Sequence, residues 1–261
     1  MDSSASGSLA VAAGAAADEA GSALRRSNRL LVAALLVTLL LWNVPYGWYV
    51  LYPFKLFATW LHETSHGLVM VLTGAGFREM KIFRDTSGLA FPGGGVAPGL
   101  QALISSAGYM GTAFFGAGFL LLGRTHRGAR AVLGVLGATM ALSALLYIPR
   151  DENTFGLVAV LAGGLALGVA AWLANEAIAG FLVNFLAAQS CINAVLDIRV
   201  LFGTEMYVDG RLHGQSDAHT VADKIGGPYW LWAGLWLLWS FGLFYVALRW
   251  VRLRAVRSEA A

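Results

Sequence analysis

Three ionisable side chains stand within five residues of one another in an otherwise apolar run. They are His62, Glu63 and His66, inside WLHETSHGLVMVL at 60–72. On a helix, residues four apart project from the same face, one turn from each other. His62 and His66 can therefore bring two imidazoles to one ion. Glu63 lies beside His62 and can reach a water on that ion without itself binding the metal. This is the His-Glu-x-x-His arrangement of zinc hydrolases. Neutral imidazoles bind zinc well. Zinc lowers the pKa of a bound water towards 7, and a carboxylate can then take its proton as general base. A catalytic site needs a third protein ligand and an open position. Asp197, in SCINAVLDIRVLF at 190–202, is the candidate third ligand from another apolar run. The five-residue pattern occurs by chance in soluble helices, and a buried histidine is often only a hydrogen-bonded core residue. Inside a membrane span, however, three uncompensated polar groups are hard to tolerate. The expected cofactor is one Zn2+ per chain.

The elements that must position these residues are set by composition. The chain has 261 residues, 57% hydrophobic and 13% charged. Its mean hydropathy is +0.64. A soluble domain carries about 25% charged residues, and a globule of this size cannot hide so much apolar surface in one core. A soluble enzyme, a disordered chain and a nucleic-acid-binding domain are therefore excluded. The net charge of +3 comes from short basic groups at the ends of apolar runs, with no long basic stripe. The lone Cys191 reads as a small packing residue, since one cysteine makes neither an intrachain disulfide nor a Cys-rich metal site.

A bilayer core needs roughly 20 apolar residues per helix. Seven stretches qualify: about 30–50, 54–74, 98–123, 129–149, 154–175, 177–202 and 228–250. The fold class is an all-α polytopic membrane protein of six to seven spans. Residues 1–29 read as a disordered tail rich in Ala, Ser and Gly. Residues 30–250 form one transmembrane domain, and 251–261 a basic tail. Residues 75–97 resemble a membrane-associated β-hairpin following the metal-binding helix. Residues 203–227 form the longest polar loop, in which Asp217 near His213 is a second, weaker candidate for metal. Arg150, Asp151 and Asn153 read as an interfacial cap or ion pair. The basic residues divide ten to eight between the two sides, which leaves orientation open. The second and sixth spans run in the same direction, so His62, His66 and Asp197 can meet at similar depth if those helices are neighbours.

At these residues the chain resembles the site-2 protease family of intramembrane zinc metallopeptidases. The resemblance rests on HETSH at 62–66 within a span, the β-like stretch after it and an aspartate in a later span. It extends to SAGYMGTAFFG at 106–116 and SDAHTVADKIGGPYWLWAGLW at 216–236, which resemble a bacterial branch of that family. It implies hydrolysis of a peptide bond in or near a membrane span of another membrane protein. Zinc would be held by His62, His66 and Asp197, with Glu63 as base. It further implies a multi-pass protein of the bacterial cell membrane. One departure stands out: the family pattern around the third ligand has Asn, Pro and then Leu-Asp-Gly, whereas this chain reads NAVLDI at 193–198. Isoleucine lacks glycine's backbone freedom.

A protease needs its substrate extended, and the stretch 79–91 could offer a strand edge for it, with Ile82 and Leu89 as contacts. Asn193, one turn before Asp197, could bond the substrate carbonyl or orient Asp197. No peptide-binding module is recognisable, so access must come from the spans, the hairpin or a separate regulatory partner. The expected partners are thus a membrane-protein substrate and the bilayer, with no nucleic acid. Two other readings remain: a transporter in which the same residues bind or relay an ion, and a non-catalytic protease-like scaffold.

Overall fold

The computed structural model describes residues 14, 21–22, 29–196 and 206–259. Among the described residues, eight helices and two small hairpins succeed one another: α1 (Arg29–Asn43), α2 (Gly47–Leu72), β1 (Phe77–Ile82), β2 (Gly88–Pro92), α3 (Pro98–Leu122), α4 (His126–Tyr147), α5 (Thr154–Leu173), α6 (Glu176–Leu196), β3 (Met206–Val208), β4 (Arg211–Gly214), α7 (Asp217–Ile225) and α8 (Tyr229–Glu259). Each of the seven expected apolar stretches coincides with helix over most of its described residues. Four of these, α3, α4, α5 and the 229–250 part of α8, are long and apolar enough to cross a membrane. The described residues do not confirm the count of six to seven. The first stretch is interrupted: α1 stops at Asn43, and α2 starts only at Gly47, beyond Pro45. In α2, the polar run His62–His66 dilutes an otherwise apolar helix. The last helix continues to Glu259, through the stretch read as a basic tail.

The core is built where helices cross. Phe57, Trp60 and Leu61 of α2 pack against Phe119 and Leu120 of α3, Leu133, Leu136 and Met140 of α4, and Val183 and Leu186 of α6. Two buried polar pairs join helices across this apolar bundle, where a low-dielectric interior favours pairing. Trp60 Nε1 donates to Ser143 Oγ at 2.9 Å, joining α2 to α4. Gln189 Nε2 donates to Thr38 Oγ1 at 3.0 Å, joining α6 to α1.

The expected β-hairpin is present. β1 and β2 pair antiparallel, with Ile82 opposite Gly88 and Met80 opposite Ala90. Its turn is tied by Asp85, whose Oδ1 accepts from the Ser87 N–H at 3.0 Å and from the Ser87 hydroxyl at 2.5 Å. Burial works against ionisation of this carboxyl. The bonds from Ser87, with N–H groups of Gly210 and Asp209, nevertheless hold it below the usual carboxylate range.

The hairpin is fastened to α2 along its length. Tyr52 donates to the Arg84 carbonyl at 2.7 Å, and Thr59 donates to the Thr86 carbonyl at 2.5 Å. Thr86 sits at φ 69, where a β-branched residue is strained. That strain is tolerated because Thr59 holds the carbonyl that the strained conformation presents.

The two edges of this sheet differ. Phe83 N–H bonds the Ser87 carbonyl. Antiparallel pairs alternate, so the pair Lys81–Leu89 also exchanges hydrogen bonds. Ile82, Gly88 and Ala90 then direct their backbone groups away from the ladder. At Ile82 both groups are taken by buried Asn153: Ile82 N–H donates to Oδ1 at 2.9 Å, and Nδ2 donates to the Ile82 carbonyl at 3.0 Å. Asn153, at the N-cap position of α5 but with no side-chain bond to that helix, therefore closes the β1 edge at Ile82. On the β2 edge, no backbone hydrogen bond to Gly88 or Ala90 is found among the described residues.

Candidate metal centre

α2 presents His62, Glu63 and His66 toward the space between α3, β2 and α7. Helical spacing brings the two imidazoles together, with Nε2 of His66 3.0 Å from Nε2 of His62. A third donor arrives from the polar loop. Oδ2 of Asp217 lies 3.2 Å from Nε2 of His62 and 3.4 Å from Nε2 of His66. These three residues form the one group of potential metal-ligating side chains among the described residues. Tetrahedral zinc with bonds of about 2.0–2.1 Å sets its ligand atoms roughly 3.3 Å apart. Two neutral nitrogens and one carboxylate oxygen at 3.0, 3.2 and 3.4 Å fit that ion closely. The side chains of His62 and Asp217 are 18% and 24% exposed against 8% for His66, so the open side of the triangle lies next to the first two.

Each donor is oriented by the fold. His66 donates Nδ1–H to the Ile104 carbonyl of α3 at 2.6 Å, which turns Nε2 toward the other two donors. Asp217 is the first residue of α7, after its N-cap Ser216. Ser216 Oγ and His219 Nδ1 lie 2.9 Å apart, and the His219 ring stacks on Tyr229 at 4.0 Å. The start of α7 is thereby fixed against the start of α8. Burial disfavours the ionised form of Asp217. His66 and the bonds from both imidazoles overcome it and hold the carboxyl well below the usual range.

Glu63 is buried, and β2 runs directly against it. A β-carbon added to Gly88 would lie 2.6 Å from Glu63 Oε1. The carboxylate is thus beside both the donor triangle and the open sheet edge. On the other side, α3 approaches through Gly108. A β-carbon there would lie 2.4 Å from Nε2 of His62 and 2.5 Å from Nε2 of His66.

The sequence-derived site residues divide into three groups. His62, Glu63 and His66 converge as the spacing required. Asp197 lies outside the described residues, and Asn193 is placed only by its backbone, in the last turns of α6. Ile82 has its side chain fully buried in the core and its outward backbone groups bonded to Asn153. Leu89 is half-buried on β2 and pairs inward with Lys81. Asp217 was the weaker candidate because its expected companion was His213. Its signal lay in the pattern Ser-Asp-x-His at 216–219, an N-cap followed by an acidic first turn.

The described residues thus include helices long and apolar enough to cross a membrane, and two histidines and one carboxylate that could hold a metal ion. The family model described as Peptidase M50B-like matches residues 31–247, and the chain belongs to that peptidase family. No curated protein and no solved structure matches the chain.

The tight approach at Gly108 gives a direct test. Gly108→Ala should lower zinc affinity at least about tenfold, because both imidazoles must shift. Gly118→Ala on the same helix meets nothing within 4 Å and should leave the affinity unchanged. Competition with a chromogenic chelator measures both.

Proposed function

We propose that the protein is a multi-pass intramembrane zinc metalloendopeptidase of the site-2 type, acting on a peptide bond in or near a membrane span of another membrane protein. The observation that carries this reading is the convergence of His62, His66 and Asp217 within 3.4 Å, beside a buried carboxylate, in a chain of a peptidase family. The proposed location is the bacterial cell membrane.

In this reading His62, His66 and Asp217 hold one zinc ion. Zinc supplies a Lewis acid that polarises the scissile carbonyl and makes a water acidic near pH 7. Glu63 takes a proton from the attacking water and delivers it to the leaving amine. Its burial excludes bulk water and holds the carboxylate in place. The open edge of β2 receives the unwound substrate as a third strand, with Gly88 and Ala90 offering their outward N–H and C=O groups. Gly88 lets that strand lie next to Glu63. On the opposite edge Asn153 takes both outward groups of Ile82 and blocks strand addition there. This moves the proposed contact from the Ile82 side of the hairpin to β2.

Glu63→Gln should lower cleavage of a membrane-protein substrate by about 10²–10⁴-fold while retaining one zinc per chain. A transporter would instead lose ion flux in the same variant, and a scaffold would show no cleavage even in the wild type.

Ala90→Pro removes one outward N–H without touching the β1–β2 ladder. It should raise KM or abolish cleavage with zinc content and melting temperature unchanged. Full activity in this variant would exclude strand addition at β2.

A further inference from the structure

The two imidazoles of the metal centre are oriented by different means. His66 is held through Nδ1 by the Ile104 carbonyl. His62 has no such bond from Nδ1 among the described residues; its polar contacts there are through Nε2, on the donor side. Its ring instead meets the ring of Tyr109 edge to face, with centroids 4.7 Å apart and planes at 86°. Behind Tyr109 lies Trp236 of α8, stacked at 5.3 Å and 12°. Both aromatic side chains are buried, at 8% and 4% exposure.

Tyr109 also follows Gly108, the point where α3 approaches both histidines. The same cluster contains Ala218 and Val221 of α7, the helix whose first residue is Asp217. One residue further along α3, the Met110 carbonyl accepts from Trp239 Nε1 at 3.3 Å. Thus α8 is anchored to α3 on either side of the Tyr109–Trp236 stack. An edge-to-face aromatic pair has a preferred geometry, and a ring backed by a second buried ring cannot swing away. Metal-bound histidines otherwise depend on a hydrogen bond from the second ring nitrogen for this orientation.

We infer that Tyr109, backed by Trp236, is the positioning residue that orients the His62 imidazole, and that it sets the seat of the Asp217-bearing helix against the same centre. The inference rests on the metal reading proposed above. It makes α8, which contributes no ligand of its own among the described residues, part of the metal centre. It also separates the ring from the hydroxyl: the aromatic edge does the positioning.

The test uses the full chain in detergent. Zinc affinity is measured for the wild type, Tyr109→Phe, Tyr109→Leu and Trp236→Leu, with the cobalt-substituted visible spectrum as a readout of ligand geometry. Far-UV circular dichroism and thermal melts of the zinc-free proteins report folding. Tyr109→Phe should match the wild type in affinity and spectrum. Tyr109→Leu should lose about 10–100-fold in affinity, the range typical of lost orienting partners, with an altered cobalt spectrum. Trp236→Leu should fall between them, and it carries the test if Tyr109→Leu does not fold. Wild-type affinity and spectrum in both leucine variants would overturn the inference. So would a loss in Tyr109→Phe as large as in Tyr109→Leu, which would assign the role to the hydroxyl. A wild type that binds no zinc overturns the metal reading itself and this inference with it, whereas zinc binding that is indifferent to position 109 overturns this inference alone.

Discussion

Two imidazoles and a carboxylate crowd within 3.4 Å of one another in a bundle made otherwise of apolar helices. In such surroundings a polar group without a partner is expensive, and a carboxylate more so. The three must therefore be held together, and much of the fold serves that end. α2 supplies the histidines, and α3 comes close enough through Gly108 to lock them. α7 is seated so that its first residue completes the triangle. A divalent cation satisfies all three donors at once, which is the simplest physical reason for bringing them together.

The hairpin follows from the same constraint. Glu63 is buried one residue from His62, and the backbone of β2 covers it at Gly88. Tyr52 and Thr59 bind the hairpin to the metal-bearing helix through the Arg84 and Thr86 carbonyls. Asn153 closes its far edge against the core. The chemistry and the proposed substrate edge therefore belong to one rigid arrangement on one helix. In the proposed reading, a substrate unwound among lipids would meet the β2 edge beside Glu63.

Helical spacing made half of the centre legible in the sequence. His62, Glu63 and His66 could be read as one face of one helix because i and i+4 are neighbours whatever the tertiary fold. The hairpin was legible from its turn residues. The third donor was less legible, because no local pattern says which distant carboxylate the chain folds toward the histidines. Asp217, read as a weaker candidate, lies beside both of them, and Asp197 lies outside the described residues. The closed β1 edge was equally hidden: Asn153 lies 71 residues from Ile82, and nothing local announces the bond. Among the described residues only four helices meet the length and apolarity of a crossing. Periodicity and length mark helices well, but α2 is polar where it carries the site, and α1 ends before Pro45.

The central claim is that Asp217 completes a zinc site with His62 and His66. Its most direct test is zinc content and affinity of the purified protein by elemental mass spectrometry and chelator competition, in the wild type, Asp217→Ala and Asp197→Ala. The account predicts about one zinc per chain in the wild type, lost or bound at least tenfold more weakly in Asp217→Ala. Wild-type zinc affinity in Asp217→Ala, with loss of zinc in Asp197→Ala, would contradict it and return the third ligand to the sixth helix.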